Sequence, residues 1–284
     1  MAIAACLLWA TPFAVIKLAL EHMDPLSMAG IRFIIAGLIQ LPLCGSLIRP
    51  FRLLRTNLKT VLLVSLFQTI LLYAGFFIAM TLVRGAQAAI LIGTGPLISA
   101  IVAHFAMHDD KLSRRTLIST GLGICGVAMI SLATKPWTPV GAEELLGMGI
   151  LLLGSVVSAF GNVVVARQRG GVNAIHLNCI QMLIGGGALL LIALPVEGIP
   201  NLKLPPMFYA QMLWLAIVSA AGFGIWFQLL SKLKVSKLNI WKFLIPVGGA
   251  ALSWAILPDE SPDWLTLTGM AIIVCGVYIG QQRR

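Results

Sequence analysis

Three cations sit inside otherwise apolar stretches of the chain: Lys17, Arg32 and Lys242. A charged side chain in hydrocarbon is costly unless it faces a cavity, meets a partner or reaches the interface, so each is either a ligand for an anionic group or an anchored structural charge. Lys17 and Arg32 lie toward the same end of consecutive apolar segments, close to Glu21 and Asp24. That proximity favours a paired or snorkelled role for both. Lys242 sits under two turns into its segment and can reach either water or the middle of the molecule.

Aromatic and small polar residues recur at helical spacing in other apolar stretches. Thr69, Tyr73 and Phe77 share one face, as do Ser219, Phe223 and Phe227, and as do Ser155, Ser158 and Asn162. An aromatic stripe ordinarily packs in a core or faces lipid, but polar interruptions point to a lumen. Trp9 lies deeper than the other tryptophans, whereas Trp137, Trp214, Trp254 and Trp264 fall near the expected outer boundary, as an aromatic belt requires. The candidate substrate contacts are therefore Trp9, Tyr73, Phe77, Thr94, Ser158, Asn162, Phe223, Phe227, Trp241 and Lys242. Pro96 and Pro246 each remove a helical hydrogen bond, freeing the carbonyls of Ile92 and Lys242, and form a candidate hinge pair.

Other chemistries find no support. There is no HExxH, no P-loop and no spacing that supports a Ser-His-Asp arrangement, so an enzyme is not expected. Cys6, Cys44, Cys125, Cys179 and Cys275 are far apart, without CxxC spacing or neighbouring His, and read as free thiols with no metal. No cofactor is expected. Glycine clusters such as Gly185–Gly187 lie within apolar stretches, where small residues let helices approach closely. The net charge of +10 comes from scattered Lys and Arg instead of a basic face, which argues against a nucleic-acid partner.

The elements that must carry these residues follow from composition. With 59% apolar and 11% charged residues over 284 positions, and a mean hydropathy of +0.96, the chain is an integral membrane protein. Ten spans fit, near 2–20, 26–48, 58–82, 86–107, 114–134, 145–166, 173–195, 208–230, 236–257 and 263–281. The opening apolar run has no basic region before it and reads as a retained helix. Fourteen of the 20 Lys and Arg fall on even-numbered connections and the C-terminus, from Arg49 to Arg284. The odd-numbered connections hold only Arg84, Lys135 and Lys203, with most of the acids. Both termini are thus expected to be cytoplasmic.

Shifting the first half by about 150 residues lays Pro96 on Pro246, Asp109-Asp110 on Asp259-Glu260, and Cys125-Gly126-Val127 on Cys275-Gly276-Val277. Five spans per copy is an odd number, so the copies are inverted, as in secondary transporters. The expected fold is all-α, with ten transmembrane helices in two inverted five-helix repeats, 1–138 and 139–284.

The opening Trp9-Ala-Thr-Pro-Phe-Ala-Val-Ile-Lys17, followed by Ile31-Arg-Phe-Ile-Ile-Ala36, resembles the start of EamA-type transporters of the drug/metabolite superfamily. The resemblance implies a ten-helix exporter of the inner membrane, with a central cavity lined by helices one, three, four, six, eight and nine. The aromatic character of the stripes is similar to that of the aromatic amino-acid exporters. Where the second copy carries Gln181 in place of the Arg, a symmetric pair of charges is not implied. The expected partners are a small-molecule substrate, such as an amino acid, and the lipid bilayer. Broad drug or nucleotide-sugar carriers, or a channel, are the alternatives, and a phosphate-bearing substrate is disfavoured if Arg32 is peripheral.

Overall fold

In hydrocarbon every backbone N–H and C=O must be satisfied within the protein, which leaves helices as the economical element for uncharged runs of this length. The computed structural model describes residues 1–83, 88, 91–133, 141–168, 171–256 and 262–282, and among them all regular structure is helical. Trp137, Arg84, Lys135, Arg169, Asp259, Glu260, Arg283 and Arg284 lie outside the described residues, as does the side chain of Lys17.

The helices are α1 (Ala2–Ala10), α2 (Pro12–Leu20), α3 (Pro25–Gln40), α4 (Arg49–Thr56), α5 (Leu58–Ser65), α6 (Leu71–Leu82), α7 (Gly95–Ala106), α8 (Arg114–Ala133), α9 (Ala142–Arg167), α10 (Ala174–Glu197), α11 (Pro206–Leu230), α12 (Val235–Ile240), α13 (Leu244–Ile256) and α14 (Trp264–Gln281). Among the described residues seven stretches are long and apolar enough to cross a membrane, and Leu91–Ala106 is a shorter apolar helix. The first, fourth and ninth expected spans are interrupted: at Thr11, at Thr94, and by a 3-10 turn at Trp241–Phe243.

Acidic side chains serve the ends of the bundle. Glu197, at the end of α10, accepts from Leu26 N and Ser27 N at 2.8 Å each, satisfying donors that the first turn of α3 cannot pair internally. Asp110 does the same for α12, accepting from Ser236 N at 2.9 Å and from the Ser236 hydroxyl. Asp263 caps α14 through Thr266, and these hydrogen bonds hold its exposed carboxyl below the usual carboxylate range.

Packing pairs elements that lie five expected spans apart. Helix α3 packs against α10, and α8 against α14. The second contact is close because neither side has a Cβ at the crossing. A Cβ built on Gly126 would meet the Gly269 carbonyl oxygen at 2.5 Å, and one on Gly269 would meet the Gly126 carbonyl oxygen at 2.7 Å. Helix α9 packs against α6 and α7, while α1 packs against α11 and α13. These contacts leave a central space bounded by α1, α6, α7, α9, α11 and α13.

The glycine crossing is a test of this packing. Gly126→Ala is expected to push α8 from α14 and destabilise the protein by about 1–3 kcal/mol, the usual penalty for overpacking. Gly121→Ala, on the same helix with nothing within 4 Å of its added Cβ, is the control and should leave the melting temperature in detergent unchanged.

Candidate functional site

The central space is a cavity of about 200 Å3. Trp9, Pro12 and Ile16 line it from α1 and α2, Arg32 from α3, and Gln68, Tyr73 and Phe76 from the third stretch. Ile92, Gly95 and Ser99 come from the fourth stretch, Ser155, Ser158 and Asn162 from α9, Phe223 and Trp226 from α11, and Lys242 and Ile245 from the ninth. These are the helices that the family resemblance implied, with α3 added.

Its wall is a row of aromatic rings. The Tyr73 and Phe223 centroids are 6.1 Å apart, Phe223 and Trp9 5.3 Å, and Trp9 and Trp226 5.0 Å, with neighbouring rings tilted or edge-on. A cation stands at each end. The Arg32 guanidinium carbon is 5.8 Å from the Tyr73 centroid, and the Lys242 ammonium is 5.0 Å from that of Trp226.

One boundary of the cavity is a chain of side-chain amides. Gln68 donates to Asn162 Oδ1 at 3.0 Å, Trp226 Nε1 donates to the same oxygen at 3.4 Å, and Asn162 donates to Asn239 Oδ1 at 3.3 Å. Asn239 in turn donates to the Val235 carbonyl at 2.9 Å. Beside it, Thr69 donates to Gln181 at 2.6 Å, Gln181 to Asn178 at 3.0 Å, Asn178 to Gln40 at 3.0 Å, and Gln40 to the Ala220 carbonyl at 2.6 Å. Members of both chains are buried, so nearly every donor must find an acceptor here.

Of the residues singled out from the sequence, Trp9, Tyr73, Ser158, Asn162, Phe223 and Lys242 meet at the cavity. Phe77 and Phe227 do not: both are fully buried in the core. On the third stretch a π-helical turn, Leu66–Ile70, adds a residue to the helical register ahead of Tyr73. It accounts for Gln68, five residues before Tyr73, on the lining in place of Thr69, whose hydroxyl meets Gln181; beyond Tyr73 the lining takes the i, i+3 neighbour Phe76 and not the i, i+4 neighbour Phe77. On α11 the lumen follows an i, i+3 step, Phe223 to Trp226, instead of i, i+4. Thr94 turns its hydroxyl to the Leu91 carbonyl at 2.6 Å, and half-buried Trp241 packs between two core clusters, so neither reaches the lining.

Arg32 departs most from expectation. It is only 2% exposed and reaches no carboxylate among the described residues; its Nε donates to Ser219 Oγ at 2.8 Å and to the Leu215 carbonyl at 3.2 Å. It neither snorkels nor pairs with Glu21 or Asp24, because it points inward across to α11. The sequence signal was present in its isolation within an apolar run.

The prolines also act differently from simple kinks. Pro96 lies in the first turn of α7, just after the turn at Thr94, and Pro246 lies in the first turn of α13, just after the 3-10 turn. Each helix restarts where proline loses no hydrogen bond. Both breaks open onto the cavity, through Ile92 and Gly95 on one side and Lys242 and Ile245 on the other. Among the described residues no three His, Cys, Asp or Glu side chains gather as metal ligands would.

An aromatic cavity between interrupted helices in an apolar bundle is the architecture of a membrane transporter. The chain belongs to the EamA-like transporter family, whose model matches residues 1–132 and again 145–279. It is 20% identical to the uncharacterized transporter YoaV of Bacillus subtilis over 98% of this chain and 94% of that one. It is 27% identical to a Salmonella typhimurium protein named "Probable amino-acid metabolite efflux pump", over 98% and 93%. The uncharacterized inner membrane transporter YedA of Escherichia coli is 25% identical over 97% and 88%. A crystal structure with 18% sequence identity superposes with a TM-score of 0.84, covering 99% of this chain and 94% of the other, so the fold is shared.

The amide chain carries its own expectation. Asn162→Ala leaves Gln68, Trp226 and Asn239 each short of a partner, and the protein should lose on the order of 2–3 kcal/mol, read as a lower melting temperature in detergent. An unchanged melt would mean that these amides are satisfied by water.

Proposed function

We propose that this protein exports small metabolites, amino acids with aromatic or other apolar side chains among them, across the inner membrane by facilitated alternating access. The observation that carries the reading is the cavity itself: apolar rings for the body of a substrate, a few amides and hydroxyls to orient it, and a helix break on either side. A relative named as an amino-acid metabolite efflux pump agrees with that class. Ten crossings in two inverted repeats, 1–138 and 139–284 with both termini cytoplasmic, account for the loop charges, for the two stretches matched by the family model, and for the pairing of α3 with α10 and α8 with α14.

In this scheme the breaks ahead of Pro96 and Pro246 act as hinges, letting the repeats rock about the cavity and change which side is open. No uphill coupling is needed. Among the described residues the cavity lining holds no Asp, Glu or His, the groups that ion-coupled carriers place in the membrane. His104 and His176 are spent on backbone contacts at the bundle ends: His104 Nδ1 accepts from Leu112 N at 3.1 Å, and His176 Nε2 lies 3.1 Å from the Cys44 carbonyl.

Transport by purified protein in sealed proteoliposomes tests the reading. Uptake of an amino-acid panel should saturate, run only downhill, and ignore an imposed pH gradient. Tyr73→Ala and Phe223→Ala should each weaken apparent affinity roughly fivefold, the worth of one ring contact beyond its area. Phe227→Ala, whose ring lies outside the lining, should lower stability instead. Unsaturable flux would indicate a channel, and accumulation abolished by a protonophore would overturn facilitated transport.

A further inference from the structure

Two cations line the cavity, Arg32 and Lys242, and among the described residues no acidic side chain lines it with them. Arg32 stays protonated at any working pH. It is 2% exposed, and its Nη1 finds no hydrogen-bond partner among the described residues although it is fully buried. Its Nε is spent on Ser219 and the Leu215 carbonyl, neither of which carries charge. At the other end of the aromatic row, the Lys242 ammonium packs over the Trp226 and Trp9 rings at 5.0 and 5.9 Å. Ring faces offset part of the cost of burying a cation. That is short of what a carboxylate would supply in the same place. No carboxylate lines the cavity among the described residues, and Glu197, Asp110 and Asp263 are each spent at a helix end.

A zwitterion fits such a site poorly. Its carboxylate would meet Arg32, but its ammonium would enter a space that already holds two cations and would find only neutral amides, hydroxyls and occupied ring faces. The same body without the ammonium loses nothing and relieves the charge. We propose that the preferred cargo is a net-anionic organic acid: an apolar or aromatic body bearing a carboxylate and no free amine, with the carboxylate completing Arg32 at Nη1 and the body lying along Tyr73, Phe223 and Trp9. The assignment rests on the transport reading above and narrows its substrate class from amino acids to their acylated or deaminated derivatives. It also reverses the expectation that Arg32 is peripheral.

Three ligands that share one side chain and differ in charge isolate this effect: N-acetylphenylalanine (net −1), phenylalanine (net zero) and phenylalanine amide (net +1). Calorimetric titration of the purified full-length protein in detergent, with counterflow in proteoliposomes as a second readout, should rank them in that order, with at least tenfold tighter binding of N-acetylphenylalanine than of phenylalanine. Arg32→Gln should erase the preference by weakening N-acetylphenylalanine at least tenfold while moving phenylalanine less than threefold, and Arg32→Lys should restore part of it. Lys242→Gln, on a different helix, gives a second cation deletion with the same expected direction. The wild-type ranking stands as a test even where a variant folds poorly. Equal or tighter binding of phenylalanine would overturn the anion assignment while leaving transport intact. A preference that survives both deletions would overturn the role of these cations. Absence of saturable binding and flux for all three ligands would overturn both the assignment and the transport reading on which it rests.

Discussion

Arg32 crosses the interior to reach α11 and finds a hydroxyl, a carbonyl and two ring faces but, among the described residues, no counter-charge. In a bundle surrounded by lipid, a charge held in the interior must find its partners within the protein or its cavity, so its surroundings are shaped by it. Ser219 stands opposite it on α11, Phe33 and Tyr73 flank it, and the residue lines the cavity. The same constraint governs the neutral polar groups. Gln40, Gln68, Asn162, Asn178, Gln181 and Asn239 are nearly inaccessible and hold one another in chains that end on backbone carbonyls. Those chains tie α3, the π-helical turn at Leu66–Ile70, α9, α10, α11 and α12 together at one boundary of the cavity.

Irregular backbone is concentrated where the cavity is. The turn at Thr94, the 3-10 turn at Trp241–Phe243 and the π-helical turn at Leu66–Ile70 all border it. Each interrupts a helix in the middle of an apolar run, which lipid would not tolerate on an exposed surface but a protein interior can. The long regular helices α9 and α11 complete the lining of the cavity. Helices α3 with α10 and α8 with α14 form close pairs through glycine crossings and make rigid walls around the irregular middle.

The membrane class, the position of most helices and the identity of six cavity residues were legible in the sequence because each rests on a strong local signal: an uncharged run, a charge in a loop, or an aromatic at helical spacing. Phe77 and Phe227 fell outside the lining because each stripe was followed at i, i+4, whereas the cavity takes the i, i+3 neighbours Phe76 and Trp226. A π-helical turn is not written in the residue types of Leu66–Ile70, and the extra residue there puts Gln68 on the lining in place of Thr69. Trp226 was hidden because the stripe on α11 was followed at i, i+4 instead of i, i+3. The direction of Arg32 depended on tertiary packing: Asp24 and Glu21 are near in sequence, whereas Ser219 is near only once α3 meets α11. The helix breaks were foreshadowed by Pro96 and Pro246, but their form, a restart instead of a kink, comes from backbone geometry ahead of the proline.

Alternating access through one cavity is the central claim, and site-directed labelling from each membrane face tests it most directly. Ser158→Cys, in a background with the five native cysteines replaced, puts a thiol on the cavity wall. With a membrane-impermeant maleimide applied to one side of sealed, uniformly oriented vesicles, the thiol should react from one face at rest, and saturating substrate should shift its reactivity toward the other. A thiol that reacts freely from both faces whether or not substrate is present, or from neither in any condition, would contradict alternating access through this cavity.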